Sequence, residues 1–383
     1  MLAALVGISI LTCQGCLASQ LKTQAVPVKT TGVMHVKPEH MKCWEAGFVA
    51  PPEGGCGGCS LPEQLSASME AEVQAAFRGE TPPVSHVKAF AMFLSEARSG
   101  HTLVGALMDG MKHVVIGNEF NALAHLKKYL QANQGAKEAE ARHWLYKKLV
   151  HNSRVCARVG RYQESYNYSI PGSWQGRWAD GRIEVIGDKR GGTSIDMLLR
   201  TGGLKGLNEL RKVVGVPLHI IRVGRSLWDN LATKVLRHHG YKGKYSKVVD
   251  LRKATLPPEE HHVMVDEQTT QSYISRNMHV VKWRKKIYED KRDRWLDMDY
   301  ANFTHDTDFH LRQLCEFLGV PGDCDADFLA RARATVRVST HKTRYSVMWA
   351  AGAVDALQRF IDSDTVLRAQ EVVSGKCDDC VIA

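Results

Sequence analysis

The chain has 383 residues, enough for one large α/β domain with extensions or for two smaller domains around a substantial core. Its 44% hydrophobic and 24% charged residues are those of a soluble globular protein and exclude fibrous and disordered classes. A formal charge of +10 favours anionic ligands: nucleotides, sulfated or phosphorylated sugars, or acidic membrane surfaces. The densest basic run, VKWRKKIYEDKRDRW, is broken by Glu289, Asp290 and Asp293 and reads as a solvated helix face, so no nucleic-acid partner is expected.

In chain order, residues 1–18 hold an apolar run, Leu2 to Thr12, followed by small residues. They read as a signal or short anchor segment, although no positive stretch precedes the run, and they allow attachment to a membrane. Residues 19–85, with APPEGGCGGCSLPE and GETPPVS, form a linker or stem. From Val87 the pattern alternates. VKAFAMFL, HVVIG, RIEVIGD and PLHIIRV read as strands. TLVGALMDGM, a long stretch to about residue 133, GLNELRKVVG and LWDNLATKVLR read as helices. From about Asp266 the chain is mostly helical, with one short strand at RWLDMDY. The expected fold is α/β, a central parallel sheet flanked by helices, over residues 86–365, followed by a C-terminal tail over 366–383.

Compartment signals conflict. The leader, with the sequons at Asn167 and Asn302, points to the secretory pathway. Cys380-Val381-Ile382-Ala383 instead fits a prenylation pattern read in the cytosol. Three C-x-x-C pairs, at 13/16, 56/59 and 377/380, lack a zinc-ribbon spacing, so no metal is expected. Cys315 and Cys324 are placed to close a small loop by a disulfide in an oxidising compartment.

In an open parallel sheet, ligands bind beyond the carboxyl ends of the strands. The turns after Leu94, Ile186 and Val223 carry Arg98-Ser99-Gly100, Asp188-Lys189-Arg190-Gly191-Gly192 and Gly224-Arg225-Ser226, so one anion pocket fed by three basic turns is expected. The first turn leads into a helix N-terminus, where unpaired N–H groups and the positive dipole end favour an anion. It lacks the Gly-Lys of the common nucleotide loop, which counts against a small-molecule kinase.

Arg98, Ser99, Gly100, Thr102 and Leu103 match the R-S-G-[ST]-T-L phosphosulfate loop of the sulfotransferase family, with His101 replacing a small residue. VGRSLWDNLATKVLR is similar to that family's 3'-phosphate motif, with Arg225 and Thr233 on its phosphate positions and Ser226-Leu227 replacing Asn-Pro. WLDMDYANFTHDTDFHLRQLCEFLGV and STHKTRYSVMW resemble later family segments, the second carrying Arg344. The pattern, over roughly residues 86 to 360, is closest to the Golgi-type carbohydrate and tyrosylprotein enzymes. The resemblance implies a P-loop-like fold and a co-substrate, 3'-phosphoadenosine 5'-phosphosulfate, held by Arg98 to Leu103, Arg225, Thr233 and Arg344. It also implies Glu119 as the general base.

Sulfuryl transfer, like phosphoryl transfer, relies on positioning and on neutralising spread charge. Arg98 suits bidentate anion binding, and Lys189 suits charge building on the leaving phosphate. His101 and His113 are alternative bases, and a module that binds nucleotide without transferring anything is the non-enzymatic alternative. The acceptor, a glycan or small molecule in the favoured reading, is set by variable loops.

Overall fold

The computed structural model describes residues 83–159, 162–163, 166–236, 263–336 and 343–373. The leader, nearly all of the stem, the three C-x-x-C pairs and the Cys380–Ala383 tail lie outside the described residues.

Five strands, β1 (Ala89–Phe93), β2 (Val114–Gly117), β3 (Val185–Asp188), β4 (Leu218–Gly224) and β5 (Arg294–Asp299), pair in parallel in the order β2-β3-β1-β4-β5. All residues of the first three strands are buried, as a parallel sheet covered on both faces requires. Side chains along β1 divide with period two between the faces. Ala89, Ala91 and Phe93 enter one core with α1 (His101–Met108), α8 (Tyr300–His305), α9 (Thr307–Leu318) and α10 (Ala326–Thr335). Phe90, Met92 and Leu94 enter the other with α2 (Ala122–Ala132), α3 (Glu138–Val159), α4 (Gly191–Arg200), α5 (Leu207–Val214) and α7 (Glu267–Asp290). A third cluster joins α6 (Leu227–Val235) and α7 to α11 (Ala351–Val373).

The α/β class and the strand segments agree with the sequence reading. Two helices depart from it. The stretch expected to end near residue 133 does end there, at Ala132, but after a turn through Gly135 with φ 91° a second long helix, α3, follows. The Gly191-Gly192 pair reads as a turn, yet it opens α4. A Cβ on Gly191 would lie 2.7 Å from the Ser95 carbonyl oxygen, so close packing rather than a turn demands glycine there. Two short strands, Met264–Val265 and Met348–Trp349, also pair in parallel.

Because β1 lies between β3 and β4, the turns after Phe93, Asp188 and Gly224 emerge side by side. The buried Asp109 carboxylate, at the end of α1, accepts from Ile116 N at 2.6 Å, Ser153 Oγ at 2.8 Å and Gly176 N at 3.1 Å, and so fixes α1 against β2 and α3. A disulfide joins Cys315 to Cys324. Among the described residues no helix is long and apolar enough to cross a membrane.

Candidate active site

The turn from β1 into α1 is built for close approach. Arg98 and Gly100 have φ of 70° and 96°, and a Cβ on Gly100 would lie 2.0 Å from the Tyr300 ring. Left-handed backbone at a non-glycine residue costs energy and gathers at functional sites. Glu119 (φ 59°) and Asn121 (φ 63°), in the turn after β2, share that conformation. Three bonds hold the β1 turn. Ser95 Oγ accepts from Val223 N at 2.8 Å, Asn230 Nδ2 donates to the Ala97 carbonyl at 2.8 Å, and Arg276 Nε donates to Glu96 Oε1 at 2.5 Å. The N–H groups of His101 and Thr102 open α1 without intrahelical partners, while Leu103 N and Val104 N donate to the Gly100 carbonyl at 3.0 and 3.4 Å. Leu103 packs into the core and seats the helix.

Ser99 and His101 are both buried, with Ser99 Oγ hydrogen-bonded to His101 Nδ1 at 3.0 Å. Burial, and next the Lys189 charge, lower the His101 imidazole to about 3, so the ring is neutral near pH 7. Between pH 6.5 and 3 the unfolded chain therefore binds a proton that the folded one does not, and His101 withdraws stability as the pH falls through that window. His101→Gln is expected to flatten the acid slope of unfolding free energy between pH 6 and 4 by up to one proton, about 1.4 kcal/mol per pH unit. Denaturant titrations across that range measure it, and an unchanged slope would show that the ring charges inside the fold.

The turn after β2 is held by its neighbours. Asn118 N donates to Asn152 Oδ1 at 2.6 Å, and Phe120 N and Ala122 N donate to Asp188 at 3.1 and 2.7 Å. Glu119 stands between these anchors. Its Oε1 accepts from Lys189 Nζ at 2.6 Å, and its Oε2 is paired with Arg190 Nη1. Lys189 Nζ also donates to Thr102 Oγ1 at 3.0 Å, so one ammonium joins the turns after β2 and β3 to the β1 loop. The Lys189 side chain is only 1% exposed. Its stem lies over Gly105, where a Cβ would come within 2.3 Å of Lys189 Cγ. Burial works to raise Glu119, but Lys189 and then Arg190 outweigh it and hold the carboxyl down to about 2. Burial lowers the Lys189 ammonium against the pull of the Glu119 charge. Asp188 is pushed up to about 6 by burial, and both its oxygens serve backbone N–H groups.

Beyond β4, a cleft of about 420 Å³ is lined by Ser99, Gly224, Arg225, Ser226, Trp228 and Asp299, among others. Arg225 and the β1 loop thus border one space. Thr233, two turns into α6, donates its hydroxyl to the Asp229 carbonyl at 2.7 Å. Arg344 braces the turn after β4: its guanidinium reaches Asp229 Oδ2 at 2.8 Å and Ser226 Oγ at 2.9 Å, and its N–H reaches Asp229 Oδ1 at 2.9 Å. His113 precedes β2 at the opposite end of the sheet, bonded through Nδ1 to Asp323 at 2.7 Å, and takes no part in this cluster.

No family model and no curated protein matches the chain. Among solved structures, the chain is similar to the sulfotransferase domain from the Synechococcus PCC 7002 olefin synthase, with 15% identity and a TM-score of 0.37 over 73% of this chain and 96% of that one.

Several residues that shape the site carry no motif signal. Arg190 stands in a basic turn legible in the sequence, but its pairing with Glu119 is not. Asp188 and Asn152, which set the Glu119 backbone, and Arg276, which grips Glu96 and the Gly192 carbonyl, act across separations of 34 to 180 residues. Among the described residues no group of three or more His, Cys, Asp or Glu gathers as a metal cage.

Proposed function

We propose that the protein is a sulfotransferase that moves a sulfuryl group from 3'-phosphoadenosine 5'-phosphosulfate to a hydroxyl or amine of a glycan or small molecule. The observation that carries this reading is the Glu119–Lys189–Thr102 chain. It sets one carboxylate and one buried ammonium directly on a glycine turn and helix N-terminus suited to an anion. The order of the sequence motifs supports the same reading.

In this assignment Arg98 and the N–H groups from Gly100 to Thr102 receive the phosphosulfate, with His101 neutral among them. Arg225, and Thr233 on the helix behind it, serve the 3'-phosphate. Arg344, through Asp229 and Ser226, fixes the turn that carries Arg225. Glu119 accepts the acceptor's proton, and Lys189 neutralises charge on the leaving phosphate. For a kinase, the acid at the end of β3 would be the natural metal ligand, yet Asp188 is engaged by Phe120 N and Ala122 N. The Cys315–Cys324 disulfide favours the Golgi lumen over a prenylated cytosolic form.

Adenosine 3',5'-bisphosphate is expected to stabilise the folded protein by about 2.7 kcal/mol at a hundred times its dissociation constant, a rise of several degrees in melting temperature, with ATP doing much less. Thermal melts with each nucleotide test this. Equal shifts would remove the basis for the donor assignment. Radiolabelled donor with a panel of glycans and small hydroxyl and amine compounds then identifies the acceptor.

A further inference from the structure

We infer that Glu119 acts as an internal anion in the unliganded site: it occupies the two cations, Lys189 and Arg190, that the donor's sulfuryl group takes over, so that donor binding frees the base. The inference rests on the sulfotransferase reading and adds an order of events to it.

Both carboxylate oxygens are engaged, Oε1 by Lys189 Nζ at 2.6 Å and Oε2 by Arg190 Nη1, so a proton on either oxygen has to compete with a cation. The pair is shielded, with side-chain exposures of 1% for Lys189 and 13% for Glu119. A buried ammonium without a counter-ion is strongly disfavoured, so Lys189 needs an anion whether or not the donor is present. Its position does not change to find one: its stem is seated over Gly105, and its head is also tied to Thr102 on the anion loop. The Glu119 backbone is likewise held on both sides through Asn152 and Asp188. The Glu119 carboxylate, by contrast, is held by its two ion pairs, which an incoming anion can replace without shifting either backbone anchor. One ammonium thus faces the base and the anion loop together, and a sulfuryl group seated on the loop exchanges places with the carboxylate.

Once released, Glu119 loses the charges that make it a weak base and regains affinity for a proton. The acceptor O–H or N–H then gives its proton to Glu119 as the acceptor atom bonds to sulfur. The bond from sulfur to the bridging oxygen breaks, and its electron pair stays on the 5'-phosphate of adenosine 3',5'-bisphosphate. The device keeps the base inactive until the donor is in place.

If Glu119 competes with the ligand, removing its charge tightens anion binding, because the competent fraction of the site rises. Inorganic sulfate is titrated into the parent protein, Glu119→Gln and Asp180→Asn, with binding read by thermal shift and calorimetry. Asp180, 71% exposed in its side chain on the loop before β3, controls for net charge alone. Sulfate affinity about tenfold tighter in Glu119→Gln and unchanged in Asp180→Asn supports the exchange. Equal or weaker binding in Glu119→Gln, or an equal gain in both variants, overturns it. A second measurement needs no variant: in the 13C-glutamate-labelled parent, the Glu119 carboxyl resonance shifts on saturation with sulfate, and a resonance that stays still also overturns the exchange. Nucleotide melts on the parent separately decide the sulfotransferase reading, so the two can fail independently.

Discussion

Glu119→Gln is expected to lower the single-turnover rate of sulfuryl transfer by about 100-fold or more, the scale of general-base loss, while the variant still binds the donor nucleotide. Gln keeps the shape of the side chain and one acceptor oxygen for Lys189, but it cannot take a proton. An ordinary capping or surface carboxylate would behave differently. The helix after Glu119 has Asn121 at its N-cap, with no side-chain cap bond, so loss of a cap is not the competing explanation. The competing effect is on stability, because the variant leaves Lys189 and Arg190 without their counter-ion, at a cost of up to about 3 to 5 kcal/mol for a broken buried pair. The rate must therefore be measured on folded, nucleotide-loaded protein, beside a melting curve of the same preparation. A parental rate would move the base to His101, the neutral imidazole of the same cluster.

Gly105→Ala carries the second large effect, and the sign of its stability change discriminates between two forces. In an open helix, replacing an interior glycine by alanine gains about 1 kcal/mol of helix propensity. Here the new Cβ would lie 2.3 Å from Lys189 Cγ and 2.9 Å from Lys189 Cβ, close to the backbone end of the side chain rather than at its flexible tip. Overpacking of that kind costs about 1 to 3 kcal/mol, so the net change is expected to be destabilising. The shift also carries Lys189 Nζ away from Glu119 and Thr102. A displacement of about 1 Å at a reacting group reduces turnover by about 100-fold. Denaturant unfolding together with single-turnover rates checks both halves. A more stable protein with full activity would show that the Lys189 stem has room to yield and that its seat on α1 is not needed.

The parallel α/β architecture was legible in the sequence because apolar runs such as AFAMF and HIIRV, separated by helical periods and bounded by basic turns, have few other ways to be buried. The strand–turn–helix at Arg98 to Leu103 was legible for a similar local reason: its residues are contiguous, and a strand, a glycine turn and a helix start are written in neighbouring positions. Glu119 and Lys189 stood out one at a time, each just after a strand. Only the tertiary structure decided that they meet, since β3 inserts beside β2 and brings residues 70 positions apart to 2.6 Å. The role of Gly105 was hidden for the same reason, because a helix-interior glycine looks like a weak point until Lys189 is seen lying across it. Likewise Arg344 belongs to a recognisable segment, but its grip on Asp229 and Ser226 depends on a chain return across 115 and 118 residues. Local periodicity and turn chemistry act over a few residues and are written in order along the chain. Pairing of buried charges depends on strand order and helix docking, which arise only when distant segments share a core.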